Sequence, residues 1–195
     1  MKLKLSINEE GLVQLCKKGN KKAQHKLYKM YSKAMYNIAI RMTGDRETAE
    51  DILQDAFIKA FTEIEKLIDE KAFGGWLKRI VINRCLDEIR KQKNVASFDM
   101  LAEKHSEIAE EINENVDVEM VHNMIKRLPE GARQVLVLRA LEGYRYAEIA
   151  ERLDITESTA KTQFFRAKQL LGKMIKSVEN ENGTRKISNE KPVEA

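Results

Sequence analysis

Apolar residues recur along most of the chain at intervals of three and four, the spacing that aligns side chains on one face of an α-helix. Two stretches interrupt this repeat, a short one over residues 66–75 and a long one over residues 92–118. Only two prolines and nine glycines occur in 195 residues, so few positions oppose helix formation. The pattern predicts an all-α chain with helices in these ranges: 9–18, 21–42, 48–64, 76–91, 120–128, 129–141 and two within 143–171.

The distribution of charge divides the chain into parts. Residues 1–91 carry a net charge of +6 and residues 119–195 a net charge of +3, whereas residues 92–118 carry −5. The last residues are mostly Asn, Glu, Lys, Gly, Pro and Ser, a composition that does not form a packed core. We therefore expect two small helical domains (1–91 and 119–178), a flexible acidic linker (92–118) and a disordered tail (179–195). Two basic domains on either side of an acidic linker suit a polyanionic partner.

Segment 143–171 has the pattern of a helix-turn-helix. Its first helix carries Ile149, Ala150 and Leu153 on one face, and Thr156 stands where the second helix needs an N-cap. The apolar face of the second helix has spacings of four, three and four residues: Ala160, Phe164, Ala167 and Leu171. Two helices joined by a tight turn in this way are typical of a DNA-binding motif.

The opposite face of the second helix is polar and basic. Its hydroxyl and amide groups suit base edges, its cations suit phosphates, and its phenylalanine suits a thymine methyl group. The alternative is a solvated helix face, but Glu157 is the only acid beside several cations, which favours DNA binding. The predicted DNA-binding residues of this face are Ser158, Thr159, Lys161, Thr162, Phe165, Arg166 and Gln169.

The third predicted helix combines an apolar core stripe with an acidic outer face. The core stripe consists of Ile52, Leu53, Ala56, Phe57, Ala60 and Ile64, and the outer face includes Asp51, Gln54, Asp55 and Ile58. Acids early in a helix also complement its macrodipole, so this face has a purely local explanation. An outward Ile among acids instead indicates a contact with a partner protein. The residues alone leave both interpretations open.

The fourth predicted helix carries Trp76, Arg79, Asn83, Asp87 and Arg90 along one side at spacings of three and four. An aromatic ring, two arginines and an Asn can bind a nucleic-acid strand by stacking and hydrogen bonding. A core position for the tryptophan is the alternative. The Asn is less easily explained by structure, because Asn is unfavourable inside a helix.

These elements, in this order, resemble a bacterial RNA polymerase sigma factor of the extracytoplasmic-function (ECF) type, within the sigma-70 family, over residues 9–176. Three motifs carry the resemblance: AEDILQDAFIKAF at 49–61, FGGWLKRIVINRCLDEIRK at 73–91 and LPEGARQVLVLRALEGYRYAEIAERLDITESTAKTQFFRAKQLL at 128–171. It implies a fold of two helical domains and a function in promoter-specific transcription initiation.

The resemblance also implies a role for each surface. The first motif would bind core RNA polymerase, on the clamp coiled coil of the β′ subunit, with further contacts to the β subunit; the contact residues are Asp51, Gln54, Asp55 and Ile58. The second would read and melt the -10 element, with loop 67–73 holding a flipped base; the contact residues are Phe73, Trp76, Arg79, Asn83, Asp87 and Arg90. The helix-turn-helix would read the -35 element in the major groove.

The chain departs from the family pattern at two positions of the helix-turn-helix. Asp154 stands in the turn where the family usually has Gly, so we expect it to adopt the left-handed conformation at some cost. Arg145 stands where the first helix often starts with Ser or Thr, although Glu148 keeps the other half of the capping box.

Other classes of protein fit the residues less well. A stand-alone helix-turn-helix regulator explains 143–171 but not the acidic face with Ile58. An enzyme is not indicated, because the sequence has no phosphate-binding glycine loop and no metal-ligand spacing, and we expect no cofactor. Isolated Cys16 and Cys85 and the lack of a long apolar run favour a cytoplasmic protein without membrane insertion. The family further implies an anti-sigma factor as a partner and a monomer when free.

Overall fold

The computed structural model describes residues 8–96 and 118–188. Within these two ranges the chain is helical, with no β-strand, which confirms the predicted all-α class. The chain divides into two compact units, Met1–Ser106 and Glu107–Ala195, each with its own buried residues. Most of the predicted acidic linker lies outside the described residues.

In unit 1, the helix α2 packs against three neighbours. The described helices of this unit are α1 (Glu9–Lys17), α2 (Lys21–Thr43), α3 (Arg46–Thr62) and α4 (Phe73–Ala96). Helix α2 contacts α1, α3 and α4, and α3 also contacts α4. Asn8 and Asn20 start the first two helices, since their side chains accept hydrogen bonds from the amides of Gly11 (2.9 Å) and Ala23 (3.1 Å).

The turn between α2 and α3 corrects one prediction. Gly44 ends α2 with φ 77°, in the left-handed conformation that glycine adopts without strain. Helix α3 starts at Arg46, two residues before the predicted start; Thr48 and Asp51 have the spacing of a capping box, but the helix does not start there. The N-cap is Asp45, whose carboxylate accepts hydrogen bonds from the Thr48 amide (2.8 Å) and the Thr48 hydroxyl (2.7 Å). Asp45 therefore caps α3, and Thr48 is the donor to this cap rather than the cap itself.

The core of unit 1 includes the whole stripe predicted for the third helix, from Ile52 to Ile64, which is buried. On α2, Leu27, Met35 and Met42 are buried and Met30 is exposed, so its buried positions differ from a single regular stripe. The difference arises because α2 contacts three helices, so its buried arc is wider than a single stripe and shifts along its length.

The connection from α3 to α4 is more ordered than the loop predicted for residues 66–75. Two 3₁₀ turns occupy it, Ile64–Lys66 and Glu70–Ala72. Helix α4 then starts at Phe73 rather than at Trp76, with Gly74 inside its first turn. A Cβ on Gly74 would lie 2.8 Å from Cε1 of Tyr31. This glycine therefore permits close packing of α4 on α2 and does not end a loop.

In unit 2, the last helix packs against the three before it. The described elements are α5 (Val118–Lys126), α6 (Glu130–Leu136), a π-helical turn (Val137–Leu141), α7 (Tyr146–Leu153) and α8 (Glu157–Ser188). Val135, Leu136 and Leu138 are buried in the core of this unit. Arg133 is buried with them, and its Nη1 donates to the carbonyls of Lys126 (3.2 Å) and Leu128 (3.4 Å). This arginine ties the end of α5 to α6.

Helix α8 extends beyond the predicted domain. It ends at Ser188. Residues 179–188, predicted to belong to a disordered tail, therefore have helical backbone. The backbone hydrogen bonds of a helix join residues four apart, so the polar composition of this segment does not prevent a helix. Residues 189–195 of the predicted tail lie outside the described residues. None of the helices within 8–96 and 118–188 has the length and apolar character to cross a bilayer.

Candidate DNA and protein interfaces

The helix-turn-helix forms as the sequence predicts. Asp154 adopts the left-handed conformation (φ 54°, ψ 52°) that ends α7, and the Ile155 amide donates to the Ala150 carbonyl (3.0 Å). The N-cap of α8 is Thr156, whose hydroxyl accepts from the Thr159 amide at 3.1 Å. At the start of α7 the Arg145 amide donates to the Glu148 carboxylate (2.7 Å), so half of the capping box is present. These contacts fix how α8 leaves the turn.

All seven residues predicted to contact DNA on α8 are exposed, while Ala160 and Ala167 on the other side are buried. The Phe165 side chain is 62% exposed. The Thr156 hydroxyl lies 2.8 Å from the hydroxyls of both Ser158 and Thr159, and the Thr162 hydroxyl donates to the Ser158 carbonyl (3.0 Å). The structure therefore brings the predicted set together on one continuous face.

A cluster around Tyr146 connects the two helices of the motif, and sequence reasoning missed it. The Arg139 guanidinium lies 4.8 Å from the centre of the Tyr146 ring, and the Phe164 ring meets it edge-on at 5.9 Å. Lys161 Nζ lies 5.9 Å from the same ring and 2.7 Å from the Glu157 carboxylate. Cation–ring contacts of this kind add to the packing of α7 on α8. The sequence offers no spacing signal for them, because they join three elements.

The four predicted polymerase-contact residues of α3 lie exposed on one side of the helix. Ile58 is 56% exposed. Asp51 and Asp55 lie beyond the first turn of a helix that starts at Arg46, so the macrodipole, which acts within the first turn, does not account for them. Stabilisation of the helix dipole, the local explanation for these acids, is thus weakened, and the interpretation as a partner contact is favoured.

A groove of about 740 Å³ between α2 and α3 adjoins this face. Its lining includes Gln54 and Ile58 and the rings of Tyr28, Phe57 and Phe61. Tyr28 and Phe57 are in contact, with ring centres 4.8 Å apart. Sequence reasoning missed the aromatic lining, because these rings come from two helices. The acidic face of α3 therefore continues into an apolar groove.

The stripe predicted on α4 is only partly present. Arg79, Asn83, Asp87 and Arg90 are exposed and Trp76 is half-buried, so the tryptophan is a core residue only in part. The Asp87 carboxylate lies 3.4 Å from the Arg90 guanidinium. This side of α4 offers two arginines and an amide to a ligand.

Phe73 is not at the surface, which corrects its prediction as a DNA contact. It is fully buried (0% exposed) and packs edge-on against Tyr31, with ring centres 5.5 Å apart, and against Trp76 at 6.1 Å. Its ring is buried because α4 starts at Phe73 itself, which turns this side chain towards α2.

Another residue of the same connection, Ile68, is 96% exposed. It belongs to the segment Leu67–Ala72, here called the 67–72 loop. Lys17 of α1 donates to the Leu67 carbonyl (2.7 Å) and to the Glu70 carboxylate (2.9 Å). The Lys17 hydrogen bond lowers the pKa of Glu70 from its ordinary value. In the sequence, the only indication of this exposed residue is an isoleucine within a charged stretch. Nothing in the sequence indicates that Lys17 contacts the loop.

Comparison with known proteins places both units in one family of transcription proteins. Residues 27–95 match the family described as Sigma-70 region 2, and residues 118–171 match Sigma-70, region 4. The chain is 31% identical over 175 residues to the ECF RNA polymerase sigma factor SigW of Bacillus subtilis, over 83% of this chain and 94% of that protein. It is 30% identical to the ECF RNA polymerase sigma-E factor of Haemophilus influenzae, over 85% of this chain and 94% of that protein.

A solved structure is similar in fold. It contains the sigma factor RpoE in complex with the anti-sigma factor NepR from Bartonella quintana. The TM-score is 0.53 at 21% identity, over 78% of this chain and 96% of that chain.

Proposed function

The chain belongs to the ECF RNA polymerase sigma factors of the sigma-70 family, and we propose that it binds core RNA polymerase and chooses promoters through DNA contacts in both units. A sigma factor directs transcription to promoters, so this chain supplies recognition and the polymerase supplies catalysis. The observation that carries the proposal is the presence, in one chain, of an exposed helix-turn-helix face in unit 2 and an exposed acidic face with Ile58 in unit 1.

The outer face of α3 is the proposed polymerase-binding surface. Asp51, Gln54, Asp55 and Ile58 would contact the clamp coiled coil of the β′ subunit, with the β subunit as a further contact of the chain. The acids suit a basic partner surface and speed association with it by electrostatic attraction, while the exposed Ile58 adds an apolar contact. The aromatic groove beside Ile58 supplies more apolar area for the same partner.

The outer face of α8 is the proposed reader of the -35 element. A helix that enters the major groove contacts base edges with residues near its N-terminus, and the seven exposed residues lie in the first four turns of α8. Arg166 and Lys161 provide charge for guanine or phosphate, Gln169 suits adenine, and Phe165 suits a thymine methyl group. The remaining hydroxyl residues suit phosphate contacts.

The -10 element is proposed to meet α4 and the 67–72 loop. Arg79, Asn83, Asp87 and Arg90 form the exposed stripe, with Trp76 at its edge. The loop would receive a base flipped out of the non-template strand, which costs a few kcal/mol of lost stacking and needs a compensating contact. Ile68 takes the place of Phe73 in this proposal, because it is exposed and Phe73 is buried.

Regulation is proposed to follow the family. The Bartonella quintana relative was solved with an anti-sigma factor, and we expect this chain to have an anti-sigma partner of its own. Its place of action would be the cytoplasm, where bacterial polymerase meets the chromosome, as a monomer when free and without a cofactor.

The test is transcription in vitro with purified bacterial core polymerase and genomic DNA of the source organism. We expect transcripts whose start sites share two upstream motifs, at about the -10 and -35 positions. The matched variant reverses Asp51→Lys and Asp55→Lys together, and it should lose core binding and transcription while it remains folded. No promoter-dependent transcript from the wild-type chain would refute the proposal.

The same variant separates this proposal from a stand-alone helix-turn-helix regulator. Such a regulator binds its duplex site without polymerase, so reversal of Asp51 and Asp55 would leave its activity unchanged. A sigma factor of this type binds promoter DNA weakly alone and tightly in the holoenzyme. Equal affinity of the free chain and the holoenzyme for the mapped promoter would favour the regulator.

A further inference from the structure

Lys17 lies far in sequence from the 67–72 loop but contacts it directly. We infer that Lys17 is a positioning residue that holds this loop, and with it Ile68, in the form that receives the flipped base of the -10 element. The inference rests on the proposed role of the loop and adds a residue from α1 to the function.

The contacts of Lys17 bracket Ile68 in the chain. Its ammonium donates to the Leu67 carbonyl (2.7 Å), directly before Ile68, and to the Glu70 carboxylate (2.9 Å), two residues after it. The Lys17 side chain is 20% exposed and that of Glu70 27%, so water competes only in part for these bonds. Hydrogen bonds of a charged donor to a charged acceptor are among the stronger ones in proteins.

The loop has little internal structure to hold its shape. The 3₁₀ turn within it, Glu70–Ala72, and the one directly before it, Ile64–Lys66, have three residues each, and such turns have poor hydrogen-bond geometry. Asp69 caps the second turn by accepting from the Lys71 amide (3.0 Å). The pair of Lys71 with Glu10 is long (4.0 Å) and exposed, so it adds little. Lys17 therefore provides the main polar restraint on the loop from another described element, beside the burial of Leu67.

Ile68 is the side chain that this restraint presents to solvent. Its neighbour Leu67 is buried, whereas Ile68 is 96% exposed. An isoleucine held almost wholly in water gives up the favourable burial of its side chain. A backbone fixed on both sides and an apolar side chain between them together form a preorganised contact point for a base or sugar.

The first experiment measures the loop in the free full-length chain, by amide hydrogen exchange. Lys17→Met keeps the length of the side chain and removes its charge. We expect faster exchange of the amides of residues 67–72 in this variant. Lys17→Arg keeps both hydrogen bonds and should exchange as the wild type does. Lys18→Met, at an exposed neighbouring lysine, is the matched control for charge.

The second experiment measures binding of holoenzyme to a fork-junction probe of the mapped promoter, with a single-stranded -10 segment. The probe carries either the cognate base or an abasic site at the flipped position. For Lys17→Met we expect affinity for the cognate probe to fall about tenfold, equivalent to about 1.4 kcal/mol, with reduced discrimination against the abasic probe. Core binding should stay unchanged, and Lys17→Arg should restore both values.

The outcomes separate this inference from the proposed function. If Lys17→Met behaves as Lys18→Met in both experiments, the inference about Lys17 is overturned. The loop would still be supported as a base contact if wild-type holoenzyme binds the cognate probe more tightly than the abasic probe. If wild-type holoenzyme binds cognate and abasic probes equally, the proposed role of the loop is overturned. If Lys17→Met also weakens core binding, the lysine stabilises unit 1 in general and does not position the loop.

Discussion

The proposed base-reading face of α8 and the 67–72 loop differ in what holds their side chains in place. On α8, exposed residues follow one another on a single helix, and the turn and cap that orient it involve residues a few positions apart. In the loop, the backbone around Ile68 is held by Lys17, which comes from another helix. A straight helix suits a duplex groove, whereas a loop fixed from outside suits one extruded base.

This difference has a consequence for how mutations act in the two units. Replacing an outward residue of α8 removes a proposed contact with DNA and should leave the helix intact. In and next to the loop lie a core residue, Phe73, an exposed one, Ile68, and the partners of Lys17. A mutation in this region therefore changes both stability and function unless it is placed at an exposed residue.

The largest expected effect tests the two phenylalanines that the sequence assigned to DNA. Phe73→Ala should lower the free energy of unfolding of unit 1 by about 3–5 kcal/mol, because it removes a fully buried ring. Phe165→Ala, at a 62% exposed position, should change stability by no more than about 0.5 kcal/mol.

The chain has one tryptophan, Trp76 in unit 1, so its fluorescence during urea unfolding reports that unit alone. The urea midpoint should fall for Phe73→Ala and stay at the wild-type value for Phe165→Ala. An unchanged midpoint for Phe73→Ala would show that its ring is not part of the core, and the residue would return to the candidates for DNA contact.

What the sequence could predict depends on how far apart the interacting residues are. The stripe of α3 and the outer face of α8 repeat within single helices, so periodicity located both. Asp45, one residue before α3, was missed because Thr48 and Asp51 also fit a cap pattern. The burial of Phe73 and the bond from Lys17 to Leu67 join separate elements, and neither spacing nor composition encodes such contacts.

An intermediate effect is expected on α8. Arg166→Ala should weaken holoenzyme binding to the -35 duplex by about 1–3 kcal/mol, the range for loss of one base-reading side chain. The matched control is Lys176→Ala, which removes a charge of the same sign from an exposed position ten residues further along α8, outside the predicted DNA-binding set. Titration of labelled duplexes with each holoenzyme measures both. Equal losses in the two variants would indicate that α8 contributes charge alone and that bases are read elsewhere.

The smallest effect concerns the carboxylate that Lys17 contacts. The Lys17 hydrogen bond lowers the pKa of Glu70 below its ordinary value, so the charged form is favoured in the folded state. Its contribution to stability is therefore present above the ordinary glutamate pKa and is lost as pH falls through the lowered pKa of the folded state. Glu70→Gln should make unit 1 slightly less stable at neutral pH, with the difference from wild type disappearing in acid.

Urea unfolding followed by Trp76 fluorescence at several pH values measures this difference, and Lys17→Met supplies the control. In the Lys17→Met background the Glu70→Gln substitution should have a smaller pH-dependent effect, because the largest cause of the lowered pKa is absent and only the backbone hydrogen bond at Glu70 still lowers it. A Glu70→Gln effect of the same size in both backgrounds would mean that Glu70 acts independently of Lys17. The hydrogen bond from Lys17 to the Leu67 carbonyl would then hold the loop by itself, and the bond to the Glu70 carboxylate would not contribute to the position of Ile68.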